Sequence, residues 1–414
     1  MTTAALVLDD CRVVDVATGA VSAPTSVVVQ DGRIASIGAE AAPAGARHLR
    51  LDGAHLVPGL IDCHVHAAAW TADLASMSSW TAGYTGIAAA ANLTAMLHRG
   101  FTRVRDVGGA DWGLAQAGQD RLFDGPFLHF GGKALSQTGG HGDSRGRGDD
   151  CGCAAAGGIG RVADGVDAVR TAVREERRRG ASHIKIMLSG GVASPSDVLE
   201  QDQYSDAEIA AAVEEAHRGG IYVAAHAYTA ASMQRGAALG VRSFEHGNHL
   251  DDAAAQALVD HDAYLVPTLA TYYWLGREGT AAGLPAGSLA KLGDLYDAGL
   301  AALRLARRAG VRVAFGTDLL GAMQVHQSDE FSLRAAVETP LETLRSATTV
   351  AAELLGIADR VGRVEVGMTA DLVAVSGDPL ADPAVLADPD THLRLVLVGG
   401  EVRVSRLDDG TVPA

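Results

Sequence analysis

The chain is short of cysteine, of basic residues and of long apolar runs, and each shortage closes off a class of protein. Four cysteines are spread over 414 residues: Cys11, Cys63, Cys151 and Cys153. Only Cys151 and Cys153 are close, and a single intervening residue is too tight for an ordinary disulfide, so a reduced, cytoplasmic chain is expected. With no second thiol pair nearby, these two also make a poor soft-metal site. No run of about 18 apolar residues appears, so no membrane span is expected. The Met1–Asp10 segment lacks the basic stretch and apolar core of a signal peptide. Lys and Arg total 34 against 50 Asp and Glu, a formal net charge of −16. That balance argues against nucleic-acid and anionic-membrane partners. The expected partner is a small molecule, whose own anionic group local Arg residues can still bind, and a homo-oligomer is expected.

A chain of 414 residues suits an α/β barrel of roughly 250–300 residues plus a smaller unit. Hydrophobic residues make up 48% and charged residues 20%, an ordinary globular balance. Both ends read as short strands and turns. At the N-terminal end these are Ala5–Leu8, Arg12–Asp15, Ser26–Gln30, the Asp31-Gly32 turn and Ile34–Ile37. At the C-terminal end they are Ala370–Val375, Leu393–Val398, the Gly399-Gly400 turn and Glu401–Val404. Neither end has strands enough for its own sheet, so residues 1–58 and 363–414 are expected to share one small β-sandwich, with a barrel of residues 59–362 inserted between them. The middle alternates strand and helix patterns, the mark of parallel βαβ units. Strands are expected near His55–His64, Thr102–Val107, Phe127–Gly131, His183–Leu188, Tyr222–His226, Arg242–His246, Tyr264–Thr268 and Arg312–Thr317. Eight such strands with helices between them predict a TIM-like (β/α)8 barrel with its site at the strands' C-terminal ends. Ser205 and Glu208 form a capping-box pattern, and Asp164 or Asp167 is placed to cap the Arg-rich helix ending at Gly180.

The apolar run that begins at Val57 ends in His64 and His66. Residues i and i+2 of a strand share a face, so both imidazoles can grip one metal ion from a single strand end. Four further residues close later apolar runs: Lys185, His226, His246 and Asp318. Nitrogen and oxygen ligands of this kind suit Zn²⁺, with Mn²⁺, Co²⁺ or Fe²⁺ as substitutes. Lys185 shares a face with His183 and Met187, where burial disfavours a charged amine. A neutral amine can react with CO₂ to give a carbamate; the alternative is a lysine that snorkels to water. His55, His98, His217 and His261 have no matching partners and read as structural. Strand alternation points Glu245 away from the face that carries His246.

This order of residue types resembles the amidohydrolase superfamily over nearly the whole chain. The resemblance implies two divalent ions, one held by His64, His66 and Asp318 and the other by His226 and His246, with carboxylated Lys185 bridging them. The Gly139-Gly140-His141-Gly142-Asp143 loop looks like that of a binuclear branch comprising Xaa-Pro and Xaa-Arg/Lys dipeptidases or carboxypeptidases and ochratoxin-hydrolysing amidases. In that branch the loop histidine polarises the scissile carbonyl, a role implied here for His141. Tyr228 is placed to donate a hydrogen bond to the developing oxyanion, or only to pack. Arg145 and Arg147 follow the loop and either grip a substrate carboxylate or form a solvated pair, and His249 is a further candidate substrate contact. The implied reaction is hydrolysis of a peptide or N-acyl amino acid by a hydroxide held between two ions, with Asp318 passing its proton to an amino-acid leaving group. The alternatives are a deaminase or imidazolone-type cyclic-amide hydrolase, a lactonase or carbamate hydrolase, and a non-catalytic binding protein. Lys185 favours the two-metal type over the deaminases.

Overall fold

The computed structural model describes residues 5–38, 43–146, 148, 158–194 and 196–407. Arg147, Cys151 and Cys153 lie outside the described residues. Strands from both ends of the chain share one nine-stranded mixed sheet. Its main path runs Glu401–Ser405, Leu393–Val398, Leu372–Val375, His55–Pro58, Leu6–Asp15, Thr25–Gln30, Arg33–Ile37. Leu6–Asp15 is one strand where the alternation suggested two, because Asp10 turns left-handed (φ 55°) and the register slips between Leu8 and Cys11. Such a bulge breaks the period without ending the strand. Leu8, Leu56, Leu372 and Leu395 bury one face of this sheet.

The central strands are all parallel and form two sheets. One holds Leu60–Val65, Phe101–Asp106 and Phe127–Phe130. The other runs Gly160–Val162, Ala134–Ser136, His183–Met187, Tyr222–Thr229, Ser243–His249, Tyr264–Val266, Arg312–Val313. Backbone hydrogen bonds cross both seams between them. On one side Ser182 N–H donates to Phe130 O at 2.9 Å. On the other, Cys63 N–H donates to Phe315 O and Asp318 N–H to His64 O, both at 2.8 Å. The three-residue strands Ala134–Ser136 and Gly160–Val162 are too short to show a period, and sequence reading misses them.

The expected His55–His64 strand is divided. Pro58 ends its mixed-sheet half and Leu60 begins its parallel half. Between them Gly59 N–H donates to Asp371 O at 2.7 Å, and a Cβ on Gly59 would sit 2.2 Å from Thr102 Oγ1. The chain therefore passes from one sheet to the other through a gap only hydrogen can fill. Helices cover the outer face of the seven-stranded sheet: Val169, Val173, Ile209 and Val213 pack with Ile184, Ile186, Val223 and Phe244. Ser205 and Glu208 make the expected capping box on Asp206–Arg218. The Val166–Arg178 helix is instead opened by Gly165 with no side-chain cap; Asp167 lies in its first turn, and Asp164 accepts hydrogen bonds from Thr138. No helix among the described residues is long and apolar enough to cross a membrane.

Gly59→Ala is expected to lower stability by about 1–3 kcal/mol through overpacking against Thr102. Urea unfolding checks this, and a midpoint equal to wild type would show that the gap can relax.

Candidate active site

Asp318 is the hub of the predicted ligands. Its Oδ1 lies 3.3 Å from His64 Nε2 and 3.3 Å from His66 Nε2, and its Oδ2 lies 4.0 Å from His246 Nδ1. His64, His246 and Asp318 offer donor atoms all within 4.8 Å of one another, close enough to share an ion. The His226 ring lies 4.7 Å from that of His246, which is 5.0 Å from that of His64. Lys185 Nζ is buried among them with no hydrogen-bond partner. These six residues and His141 line one pocket of about 80 Å³, whose lining is apolar at Leu74, Ala75, Ile159 and Leu320.

Each imidazole is held by one nitrogen, which leaves the other for a ligand. His64 Nδ1 donates to Glu245 Oε2 at 2.8 Å, and His66 Nδ1 donates to Gly108 O at 2.8 Å. His226 Nε2 donates to Gly190 O at 2.9 Å, and His246 Nδ1 lies 2.7 Å from Thr268 Oγ1. Partners of this kind orient metal-ligating histidines and fix their tautomers. The donor set and the unpartnered amine of Lys185 fit a pair of divalent ions with a bridging carboxylate group.

Glu245 corrects the alternation argument, since it points inward as His246 does. His246 has a left-handed backbone (φ 76°), so strand alternation fails at that residue and both neighbours reach His64. Behind Glu245 lies Arg105, fully buried, whose Nη2 contacts the two carboxylate oxygens at 2.8 and 2.9 Å. Arg105 also donates from Nη1 to Ser243 Oγ at 2.9 Å. Sequence reasoning missed this pair. The available signal was Arg103 and Arg105 at strand spacing in a run bounded by Phe101 and Val107.

The electrostatics follow from burial and from Asp318. Burial opposes the charge on Asp318, but His64 and His66 outweigh it and hold the carboxyl well below its usual range. Burial likewise opposes protonation of His66, and Asp318 reverses the balance and raises its pKa. His226 and His246 are pushed well below the usual imidazole value, first by burial. Burial lowers His141 to about 4 and Lys185 to about 8. A lysine near 8 keeps a fraction of neutral, CO₂-reactive amine at neutral pH.

His141 stacks on His226 with ring centroids 4.2 Å apart, and its Nδ1 lies 2.9 Å from Ser194 Oγ. Tyr228 is buried, 4.8 Å edge-on from the His226 ring, and the Tyr272 hydroxyl donates to its oxygen at 2.9 Å. Two substrate candidates are not brought to the pocket. Arg145 is paired with Asp143 through Nε and Nη2 at 2.7 and 2.6 Å, and His249 is exposed at the far end of its strand.

The profile of the Amidohydrolase family matches residues 55–403. Ochratoxinase of Aspergillus niger is 33% identical over 404 residues, which cover 89% of this chain and 81% of that protein. A solved prolidase complexed with N-methylphosphonate-L-proline is 45% identical, with a TM-score of 0.94 over 97% of this chain and 100% of that one. A Xaa-Pro dipeptidase with bound methionine is 27% identical, with a TM-score of 0.87 over 96% of this chain and 99% of that one.

Glu245→Gln should weaken metal binding about 10- to 100-fold, because His64 loses the carboxylate that fixes its tautomer. It should also destabilise the metal-free protein by about 3–5 kcal/mol, since Arg105 is left buried without a counter-charge. Metal titration and denaturant unfolding of the same variant read the two effects, and unchanged metal affinity would contradict the first.

Proposed function

Because the chain belongs to the amidohydrolase family and is a hydrolytic enzyme of the dipeptidase or amidase type, we propose that it cleaves the amide bond of a dipeptide or N-acyl amino acid at a binuclear metal site. The observation that carries this reading is the convergence of His64, His66, His226, His246, Asp318 and the unpartnered Lys185 amine on one pocket with His141. We infer further that the two parallel sheets are one TIM-like barrel of residues 59–362, and that the mixed sheet belongs to a β-sandwich built from residues 1–58 and 363–414. The hydrogen bonds across both seams support the first inference, and the strand order of the mixed sheet supports the second.

In this proposal His64, His66 and Asp318 would hold one ion and His226 and His246 the other, with a carbamate on Lys185 as their shared ligand. Two divalent ions, Zn²⁺ first among the candidates, supply Lewis acidity toward a carbonyl and a lowered pKa for water. Asp318 keeps one oxygen against His64 and His66 and turns the other toward His246, so it can ligate with one and carry a proton on the other. That proton is destined for the leaving nitrogen. His141, whose Nδ1 meets the Ser194 hydroxyl, is the group that would polarise the carbonyl oxygen. Tyr228 stays protonated, because burial pushes its pKa up, and the Tyr272 hydroxyl donates to its oxygen. Its own hydrogen is then left to stabilise the oxyanion.

An amino-acid leaving group with a free carboxylate is supported by the prolidase and Xaa-Pro dipeptidase relatives, which hold N-methylphosphonate-L-proline and methionine. Arg145 is not assigned to that carboxylate, given its pairing with Asp143. The deaminase alternative calls for an acidic group working beside the third histidine. Glu245 instead lies behind His64 on Arg105 and does not line the pocket.

The test is a library of dipeptides and N-acyl amino acids offered to metal-replete protein, each beside its C-terminal amide or ester. Blocking the carboxylate should lower kcat/KM about tenfold or more, the loss of one charge-assisted contact; equal turnover of both forms would point to a lactonase, carbamate hydrolase or general amidase. Asp318→Asn keeps an oxygen ligand but cannot take a proton, so kcat should fall roughly 10²-fold or more. Near wild-type turnover by that variant would remove Asp318 from the proton path.

A further inference from the structure

The sequence contains three lysines, Lys133, Lys185 and Lys291, and otherwise uses arginine for positive charge. Lys291 lies between the helices Ala286–Leu289 and Leu295–Ala309. Its Nζ donates to Gly191 O at 2.9 Å, to Ser194 O at 2.8 Å and to Asp197 Oδ1 at 3.0 Å. An ammonium has three hydrogens, and all three enter one loop about a hundred residues upstream.

That loop holds three of the residues gathered above. Gly190 O accepts from His226 Nε2 at 2.9 Å, and Ser194 Oγ meets His141 Nδ1 at 2.9 Å. Ser189 Oγ accepts from Tyr228 N at 2.9 Å. Gly191 lies directly under His141, where a Cβ would come within 2.1 Å of the ring. Asp197, at the loop's end, is buried and also accepts from Ser194 Oγ, Gly191 N and Gln203 Nε2. Gln203 in turn accepts from His141 N at 2.9 Å. Among the described residues, Lys291 is the Lys or Arg paired with Asp197.

We propose that Lys291 is a positioning residue for the reaction: its ammonium clamps the 189–197 loop, which fixes the rings of His141 and His226 and the backbone of Tyr228. The clamp requires a compact donor. A planar guanidinium spreads its hydrogens in a fork and does not converge on three oxygens set around one point. This inference rests on the roles proposed above for His141 and Tyr228.

Lys291→Met in the full-length, metal-loaded chain tests it through two readouts. Amide hydrogen exchange over residues 189–198 should become faster, and kcat should fall about 10- to 100-fold, the range expected when catalytic groups shift by about 1 Å, with KM changing much less. The double variant Lys291→Met with Asp197→Asn removes the buried charge left behind and so guards against misfolding; it should keep both the looser loop and the lower kcat. Wild-type exchange in the loop, or a looser loop with wild-type kcat, would overturn the proposal. Because exchange is read without substrate, the clamp is judged separately even if the library yields no amide turnover.

Discussion

The buried contact between Arg105 and Glu245 is the constraint on which the site's geometry depends. Taking a carboxylate and a guanidinium out of water costs several kcal/mol per ion, recovered only when the geometry is close and every remaining group is bonded. Here it is. Glu245 meets Arg105 with both oxygens, Ser243 Oγ with one and His64 Nδ1 with the other. Burial works against the Glu245 charge, but Arg105 and Lys185 overcome it and hold the carboxyl well below its usual range. The arrangement ties Phe101–Asp106, Ser243–His249 and Leu60–Val65 together from the inside, since Arg105 Nε also donates to Cys63 O. One electrostatic unit thus holds three strands and turns the Nε2 of His64 toward Asp318.

Backbone strain does the rest of the aiming. His246, Thr268 and Asp318 have φ values of 76°, 47° and 52°, in a region that costs residues with a Cβ roughly 1–2 kcal/mol each. His246 lies within the strand Ser243–His249, and Thr268 and Asp318 follow the strands Tyr264–Val266 and Arg312–Val313. The left-handed turn at His246 lets two successive residues serve the interior, Glu245 beneath and His246 above. At Thr268 it accompanies the hydroxyl's contact with His246 Nδ1. At Asp318 it goes with the hydrogen bond from its N–H to His64 O, across the seam that joins the first and last parallel strands. Strain at ligand positions of this kind marks places that the surrounding structure over-determines.

What could be read from the sequence divides along the same line. His64, His66, Lys185 and His226 end regular apolar runs, and a period of two placed them together. The strands of both termini were legible by their turns, although Asp10 hid the continuity of Leu6–Asp15. The orientation of Glu245 was not legible, because the alternation rule presumes an ordinary strand and the deviation at His246 is set by tertiary contacts. The Lys291 clamp was also hidden: no local pattern links a lysine in a short connection to carbonyls about a hundred residues away. Arg145 shows the opposite case. Sequence proximity to the His141 loop suggested a substrate contact, yet a closer carboxylate, Asp143, takes its guanidinium.

The two lysines near the pocket show how hydrogen-bond satisfaction separates scaffold from chemistry. Lys291 has a protein oxygen for each of its three hydrogens and is part-exposed, so it is held in place. Lys185 has none, although its Nζ is sealed from solvent. A buried amine without a partner forfeits about 1–3 kcal/mol, a loss the fold would not tolerate for packing alone when methionine or leucine would fill the same volume. Glu245 attracts the Lys185 charge from a distance, but burial outweighs that attraction and no hydrogen bond joins them. The proposed carbamate resolves this: it converts the unsatisfied amine to an anionic group with two oxygens, directed at the space enclosed by four imidazoles. On that proposal, the residue that looks worst placed without metal is the one that would gain most from CO₂ and metal.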